Sequence, residues 1–507
     1  MTDGILILDF GSQLTQLIAR RFRELGLFSE LVPYNITIEE VKKRRPKGII
    51  LSGGPSSVFE KDAPRRSVKE LMEVAPVLGI CYGMQLISQE LGGEVAAADN
   101  KEYGHGTVQW KKTWGEWSKD QKVWMSHGDY IKTAPPGCDV VAWSSNEHPA
   151  AMEGPGFRAV QFHPEVSHTE SGTEILRNFA FEFCKATPNW SSGKIAEHAM
   201  QTIKEKVADK EKVICGLSGG VDSTVTATLL TKALGRERVL CVFVDTGLLR
   251  LNEFEDVLAM YKELGLNVKG VDARAQFLSA LRGVSDPEQK RKIIGRTFIR
   301  VFEQNLPSTE EYVWLGQGTL YPDVIESISP RGSSVTIKSH HNVGGLPDDI
   351  KMKLLEPLRE LFKDEVRLLG RELGLPEKFL GRHPFPGPGL AIRIMGDVNE
   401  QDLAILKSAD AIFIEELNKR GLYHLIWQAF ACLLPVRTVG VQGDGRTYDK
   451  VLALRAVTSV DGMTADWFAF DPGFLAHVSN RITNEVRGIN RVVYDITSKP
   501  PGTIEWE

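Results

Sequence analysis

The chain has 507 residues, 42% hydrophobic and 25% charged, which is too long for one ordinary core and fits a soluble globular protein of roughly two to four domains. Its net charge of -5 gives no reason to expect nucleic acid as a partner. Six cysteines scattered without a C-x-x-C pair fit a reducing cytoplasm, the first residues lack the basic segment of a signal peptide, and charges interrupt every apolar run before bilayer length.

Short apolar runs at Ile5 to Asp9, Gly48 to Ser52 and Val77 to Ile80 alternate with helical patterns such as Leu14 to Leu25. That alternation predicts an α/β domain around a largely parallel sheet, over residues 1–187, closing with a helix from Thr173 to Cys184. The polar stretch Thr187 to Gly193 is the expected linker. From Val213 the alternation resumes, with apolar runs to Leu217, at Val239 to Val244 and at Val268 to Val271, and predicts a second doubly wound sheet over 194–384. The prolines between Arg382 and Gly389 fix φ and remove donors, so a stiff hinge or wall is expected there. Beyond it, a helical pattern (Asp402 to Lys419), β-rich runs (Thr438 to Val441, Val451 to Val457, Val492 to Ile496) and a helix near Asn480 to Gly488 predict a small α+β domain over 385–507.

Cys81 stands where the apolar run Val77 to Ile80 meets a helical pattern, between Gly79 and Gly83. A nucleophile at a strand-to-helix elbow projects into a cleft, and the helix's first amides favour its thiolate; the glycines are read as leaving room for substrate. Such a thiolate needs a base and a group to orient it, which His163 and Glu165 can supply from one side of an extended segment. The loop Ser52-Gly53-Gly54-Pro55, with the amide of Tyr82, is the candidate oxyanion hole. Together G-x-C-x-G-x-Q, F-H-P-E and S-G-G-P resemble the class I glutamine amidotransferases over about the first 185 residues. The resemblance implies a triad of Cys81, His163 and Glu165, with glutamine held near Gln85 and near His127, Gly128 and Asp129.

Ser218-Gly219-Gly220-Val221-Asp222-Ser223-Thr224 follows a strand and opens a helix, so its amides and hydroxyls can surround an anion at the positive helix end. Asp222 occupies the place where a Walker loop has lysine, and an acid there needs a cation between itself and phosphate; Mg²⁺ bridging Asp222 and ATP is the inference. The S-G-G-x-D-S pattern resembles the ATP pyrophosphatase family, which implies adenylation of an oxygen with loss of pyrophosphate. Val244, at the end of the next strand, is the candidate adenosine contact. Lys363 either meets the departing pyrophosphate or lies on a solvated helix face.

Three further segments decide the acceptor: Arg382 to Leu390, Val439 to Asp444, and Asp495 to Glu507. They resemble the GMP synthetase family, which implies xanthosine monophosphate (XMP) as acceptor, with contacts from Arg291, Gln428, Asp444, Lys499, Ile504 and Glu505, and a homodimer through the last domain. The basic run at Lys290 to Lys292 suits a nucleotide phosphate but also an ordinary solvated surface. His340 and His341 belong to a lid or, less naturally, a metal site. The alternative function is adenylation of another nucleotide or of a tRNA base, which calls for a basic stripe or a sulfur-transferring cysteine pair; neither is present in the sequence.

Overall fold

The computed structural model describes residues 3–12, 14–307, 311–321, 352–442, 445–459 and 464–507. Asp444 and the His340-His341 pair lie outside them. The chain divides into two compact units, one running to Lys194 and the other from Ile195 to Glu507.

The first unit runs β1 (Ile5–Asp9), α1 (Thr15–Glu24), β2 (Ser29–Pro33), α2 (Ile38–Arg44), β3 (Gly48–Leu51), α3 (Val68–Met72), β4 (Val77–Ile80) and α4 (Tyr82–Glu90). Then come β5 (Glu94–Trp110), β6 (Asp120–Thr133), β7 (Asp139–Ser144), β8 (Pro149–Gly154), β9 (Phe157–Val160) and α5 (Gly172–Arg177). The strands form one sheet in the order β2-β1-β3-β4-β9-β8-β7-β5-β6. From β2 to β9 it is parallel, and from β9 to β6 antiparallel. The central β3 and β4 are buried along their whole length, which is why they read as unbroken apolar runs rather than alternating ones.

The helix expected over Thr173 to Cys184 is α-helical only to Arg177 and continues as a π-helical turn, Asn178–Phe183. The wider turn starts where Asn178 is tied on both sides, donating to Trp114 O at 2.6 Å and accepting from Arg158 at 2.6 Å. The expected linker is docked on this unit as far as Trp190: Asn189 accepts from Phe28 N at 2.8 Å, and Arg23 lies 5.0 Å over the Trp190 ring.

The second unit opens with α6 (Ser192–Lys206), β10 (Lys212–Leu217), α7 (Val221–Leu234), β11 (Val239–Asp245), α8 (Glu253–Glu263), β12 (Val268–Asp272), α9 (Arg274–Leu281) and α10 (Pro287–Gln304). With β13 (Tyr312–Gly316) and β14 (Lys353–Leu355) it forms a parallel sheet in the order β12-β11-β10-β13-β14. The chain ends in a second sheet: β15 (Gln428–Gln442) lies antiparallel to β16 (Gly445–Thr458), whose other edge takes β17 (Asp466–Trp467) and, in parallel, β18 (Ile489–Tyr494). The helices Glu400–Lys419 and Pro472–Glu485 accompany it, the latter some eight residues earlier than its sequence pattern suggested; Asp471 caps its first turn and Pro472 occupies it, a start signal that outranks the apolar pattern further on.

One core joins the two sheets: Val242, Phe277 and Leu315 belong to the same buried cluster as Leu390, Phe413, Leu452 and Phe474. The change of architecture near residue 384 therefore falls inside a single compact unit. The proline-rich segment there is a wall rather than a hinge. Gly389 has φ +61° and lies so close against Leu248 that a methyl group would overlap its carbonyl, while Leu390 N donates to Leu248 O at 2.8 Å. Among the described residues no helix is long and apolar enough to cross a membrane.

Candidate active sites

Cys81 joins β4 to α4 with φ 54° and ψ -108°, a backbone region that costs a non-glycine residue of order 1–3 kcal/mol and is kept where the surroundings over-determine it. Those surroundings are visible. Cys81 N donates to Val160 O of β9 at 2.8 Å. A methyl group on Gly79 would stand 2.6 Å from Gly83 O, and one on Gly83 would overlap Leu51 O. The two glycines thus let α4 lie directly on β3 and β4, and the reading that they make room for substrate is corrected.

His163 Nδ1 lies 2.7 Å from Glu165 Oε1, and both side chains are buried. Burial alone favours the neutral ring, but the Glu165 charge, aided by a hydrogen bond with Cys81, outweighs it and holds the imidazole pKa above its ordinary value. An imidazole that retains its proton is the partner a thiolate leaves behind when it has given that proton away. The backbone around the pair is fixed from three sides: His163 N donates to Trp124 O at 3.0 Å, Thr169 Oγ1 to His163 O at 2.6 Å, and Arg21 Nε to Glu165 O at 2.9 Å. Gly53 stands beside both His163 and Cys81, since a methyl group there would lie 3.1 Å from His163 Cε1 and 3.6 Å from Cys81 Cβ. Gly54 packs instead on Phe10 O at the end of β1. Tyr82 opens α4, and its hydroxyl donates to Pro64 O at 2.7 Å.

The expected glutamine-holding side chains meet one another. Gln85 donates to Asp129 O at 3.1 Å, His127 Nδ1 lies 3.0 Å from the same oxygen, and Asp129 Oδ2 accepts from Ser57 at 2.5 Å. On its other side His127 Nε2 is 3.0 Å from Glu102 Oε2, its cross-strand partner. Burial raises the Glu102 pKa, but His127, Ser144 and Asn146 together bring it below the ordinary value. These contacts brace β6 where it passes the thiol, whose Sγ is 3.6 Å from Ser126 O, and Gly128 lies in that braced run.

In the second unit the loop from Ser218 to Thr224 joins β10 to α7, with Gly219 at φ +78°. Its hydroxyls close it on itself: Ser223 Oγ accepts from Ser218 N at 3.2 Å, and Thr224 Oγ1 donates to Gly220 O at 2.9 Å. Val221 and Asp222 form the first turn of α7. Lys363 Nζ stands 3.8 Å from Asp222 Oδ2, so the structure brings Lys363 to the loop. Arg382, ion-paired with Glu253, also donates to Gly219 O at 3.3 Å. Val244 is buried in the core at the end of β11, so its main chain is the part open to a ligand.

The acceptor candidates converge on the chain's last residues. Arg291 donates to Glu507 O at 2.6 Å, Gln428 to Glu505 Oε1 at 2.6 Å, and Ile504 is buried beside Phe430 and Val457. Lys499 pairs through its backbone with Ala465.

Three family models match in series: class I glutamine amidotransferase over residues 6–183, NAD synthase over 195–295, and the GMP synthase C-terminal domain over 415–506. The chain is 61% identical to the glutamine-hydrolysing GMP synthase of Bdellovibrio bacteriovorus, covering 99% of this chain and 100% of that one. It is 54% identical to that of Brachyspira hyodysenteriae, covering 100% and 99%. The chain belongs to the GMP synthase family. The middle model is described by a different product and covers β10, the loop from Ser218 to Thr224 and α7; the C-terminal match and the full-length relatives decide the family. For this member of the GMP synthase family, sequence reasoning gave no role to Arg382 at the phosphate loop, to Glu102 and Ser57 beside His127 and Asp129, or to Arg393 at the tail; Lys290, expected in a basic run that suits a phosphate or a solvated surface, is instead fully buried. The signal for that burial is the helical stripe Lys290 shares with Ile294, Thr297 and Val301, all buried.

Proposed function

We propose that the chain aminates XMP to GMP through two coupled sites, with Cys81, His163 and Glu165 releasing ammonia from glutamine. The Cys81 sulfur attacks the side-chain amide carbon, the proton carried by His163 goes to the departing ammonia, and water then cleaves the thioester to give glutamate. Glu165 holds the imidazole in place for both transfers. On this reading the amides at Gly53 and Tyr82 donate to the oxyanion, and the braced run from His127 to Asp129 orients the substrate.

In the second unit the amides and hydroxyls from Ser218 to Thr224 hold ATP phosphates at the start of α7. The C2 oxygen of XMP attacks the α-phosphorus, pyrophosphate leaves toward Lys363, and ammonia then displaces AMP from C2. Asp222 is the residue that would hold Mg²⁺. A single carboxylate shared with phosphate oxygens and water suits that ion, and the Lys363 ammonium beside Asp222 marks the spot as one that favours positive charge. Mg²⁺ held by Asp222 would supply positive charge beside the leaving pyrophosphate. Arg291, Gln428, Lys499, Ile504 and Glu505 form the XMP site, to which Asp444 also belongs on this reading.

A homodimer through the C-terminal sheet is part of the proposal. Val439 and Val441, two residues apart on β15, are exposed with Tyr448 directly opposite Val439, so the three share one face of the β15–β16 hairpin, which a partner would cover. Six unpaired cysteines agree with a cytoplasmic setting.

The observation that carries the reading is the strained Cys81 elbow beside the buried His163–Glu165 pair, in one chain with an acidic phosphate loop. Cys81→Ala, assayed with glutamine and separately with ammonium salt, is expected to lose the first activity and keep the second. Loss of both in a folded protein would contradict separable sites.

A further inference from the structure

Among the described residues, Lys290, Arg393 and Arg455 are cations with no exposed surface, and all three address the end of the chain. Lys290 Nζ donates to Ala391 O at 3.2 Å, Ile394 O at 2.7 Å and Glu507 Oε2 at 2.6 Å, which uses all three ammonium protons. Arg393 grips both oxygens of Glu505, at 2.8 and 3.1 Å, with its guanidinium 4.2 Å from the Phe430 ring centre. Arg455 donates to Thr497 O, Thr503 O and Ile504 O at 2.5, 3.0 and 3.3 Å.

Removing a charge from water costs several kcal/mol, and the interior pairing that follows often only offsets it. Three such cations directed at one short segment therefore do more to specify its geometry than to stabilise the fold. What they specify is the setting of the acceptor candidates. Arg291, the neighbour of Lys290 on α10, donates to the main chain of Glu507, and Gln428 shares Glu505 with Arg393.

We propose that Lys290 is a positioning residue for the XMP site, holding Glu507 so that Arg291 and the Ile504–Glu505 segment meet the acceptor in one arrangement. This rests on the acceptor reading given above. Lys290 lies on the buried stripe of α10, so methionine can replace it within the core, whereas the charged hydrogen bond to Glu507 is lost.

The test is Lys290→Met in the full chain, with steady-state kinetics using ammonium salt and amide hydrogen exchange of the peptide covering residues 495–507. KM for XMP is expected to rise about tenfold, with KM for ATP and glutaminase activity little changed and faster exchange in the tail. Glu507→Ala should raise KM for XMP equally, and the double variant no further. Unchanged tail exchange, unchanged KM for XMP, or equal rises in KM for XMP and ATP would each overturn the proposal. If the unmutated protein failed to use XMP, the acceptor reading itself would fall, while tail exchange would still report on the clamp.

Discussion

Asp222 shows how much one side chain can say about a reaction. In the loop between β10 and α7 a lysine would contact phosphate directly, while a carboxylate must act through a cation, and the geometry adds Lys363 at 3.8 Å. Asp222→Asn is expected to lower XMP amination by roughly a hundredfold with either glutamine or ammonium salt. An unaltered rate together with unaltered Mg²⁺ dependence would remove the carboxylate from that role. At this scale the candidates Cys81, His163 and Glu165 could be named from the sequence because such chemistry restricts them to few residue types in fixed order, and the structure brings His163 and Glu165 within 2.7 Å. Gln85 and His127 were legible as positions but not as contacts. Both belong to a cross-strand network with Glu102, Asp129 and Ser57, and no short motif records which strands pair.

The elbow is the element on which the first site depends, and its glycines define how closely α4 and β3 approach. Gly83→Ala places a methyl group against Leu51 O, so the fit of the helix must give way. Overpacking of this kind costs about 1–3 kcal/mol. Denaturant unfolding of the full chain should show that loss, and glutamine-dependent amination should fall far more than ammonia-dependent amination; equal losses would argue against a local effect. The strands and helices themselves were legible from apolar runs and caps. The antiparallel half of the first sheet was not, because β5 to β8 lack the buried, unbroken pattern of β3 and β4.

At the scale of the whole molecule the sequence divides into three matched regions, yet residues from 195 onward form one compact unit in which a single core joins both sheets. Sequence shows where architecture changes, whereas side chains such as Leu248 and Leu390 determine whether the pieces can move apart. His383 lies at this junction, stacked on Tyr423 with ring centres 3.8 Å apart. Its Nε2 donates to Tyr423 O at 2.8 Å, and its Nδ1 accepts from Ala429 N at 3.2 Å, so a proton on Nδ1 would break the second bond. Burial, with Arg250 nearby, lowers its pKa from 6.5 to about 4 despite the Tyr423 carbonyl. Between those values the unfolded chain binds more protons, so this contribution is complete above about pH 6.5 and lost as pH falls toward 4, on the order of 3 kcal/mol in all. Stability measured across that window should fall more steeply for the unmutated protein than for His383→Gln; identical slopes would exclude the histidine as the cause. The tail clamp has a different consequence, in the order of synthesis. Folding proceeds as the chain leaves the ribosome, and the proposed triad, whose last member is Glu165, is translated well before Glu507, the residue proposed to anchor the acceptor site. The two halves of the proposed coupling are thus finished at opposite ends of translation, the supplier of ammonia first and its consumer last.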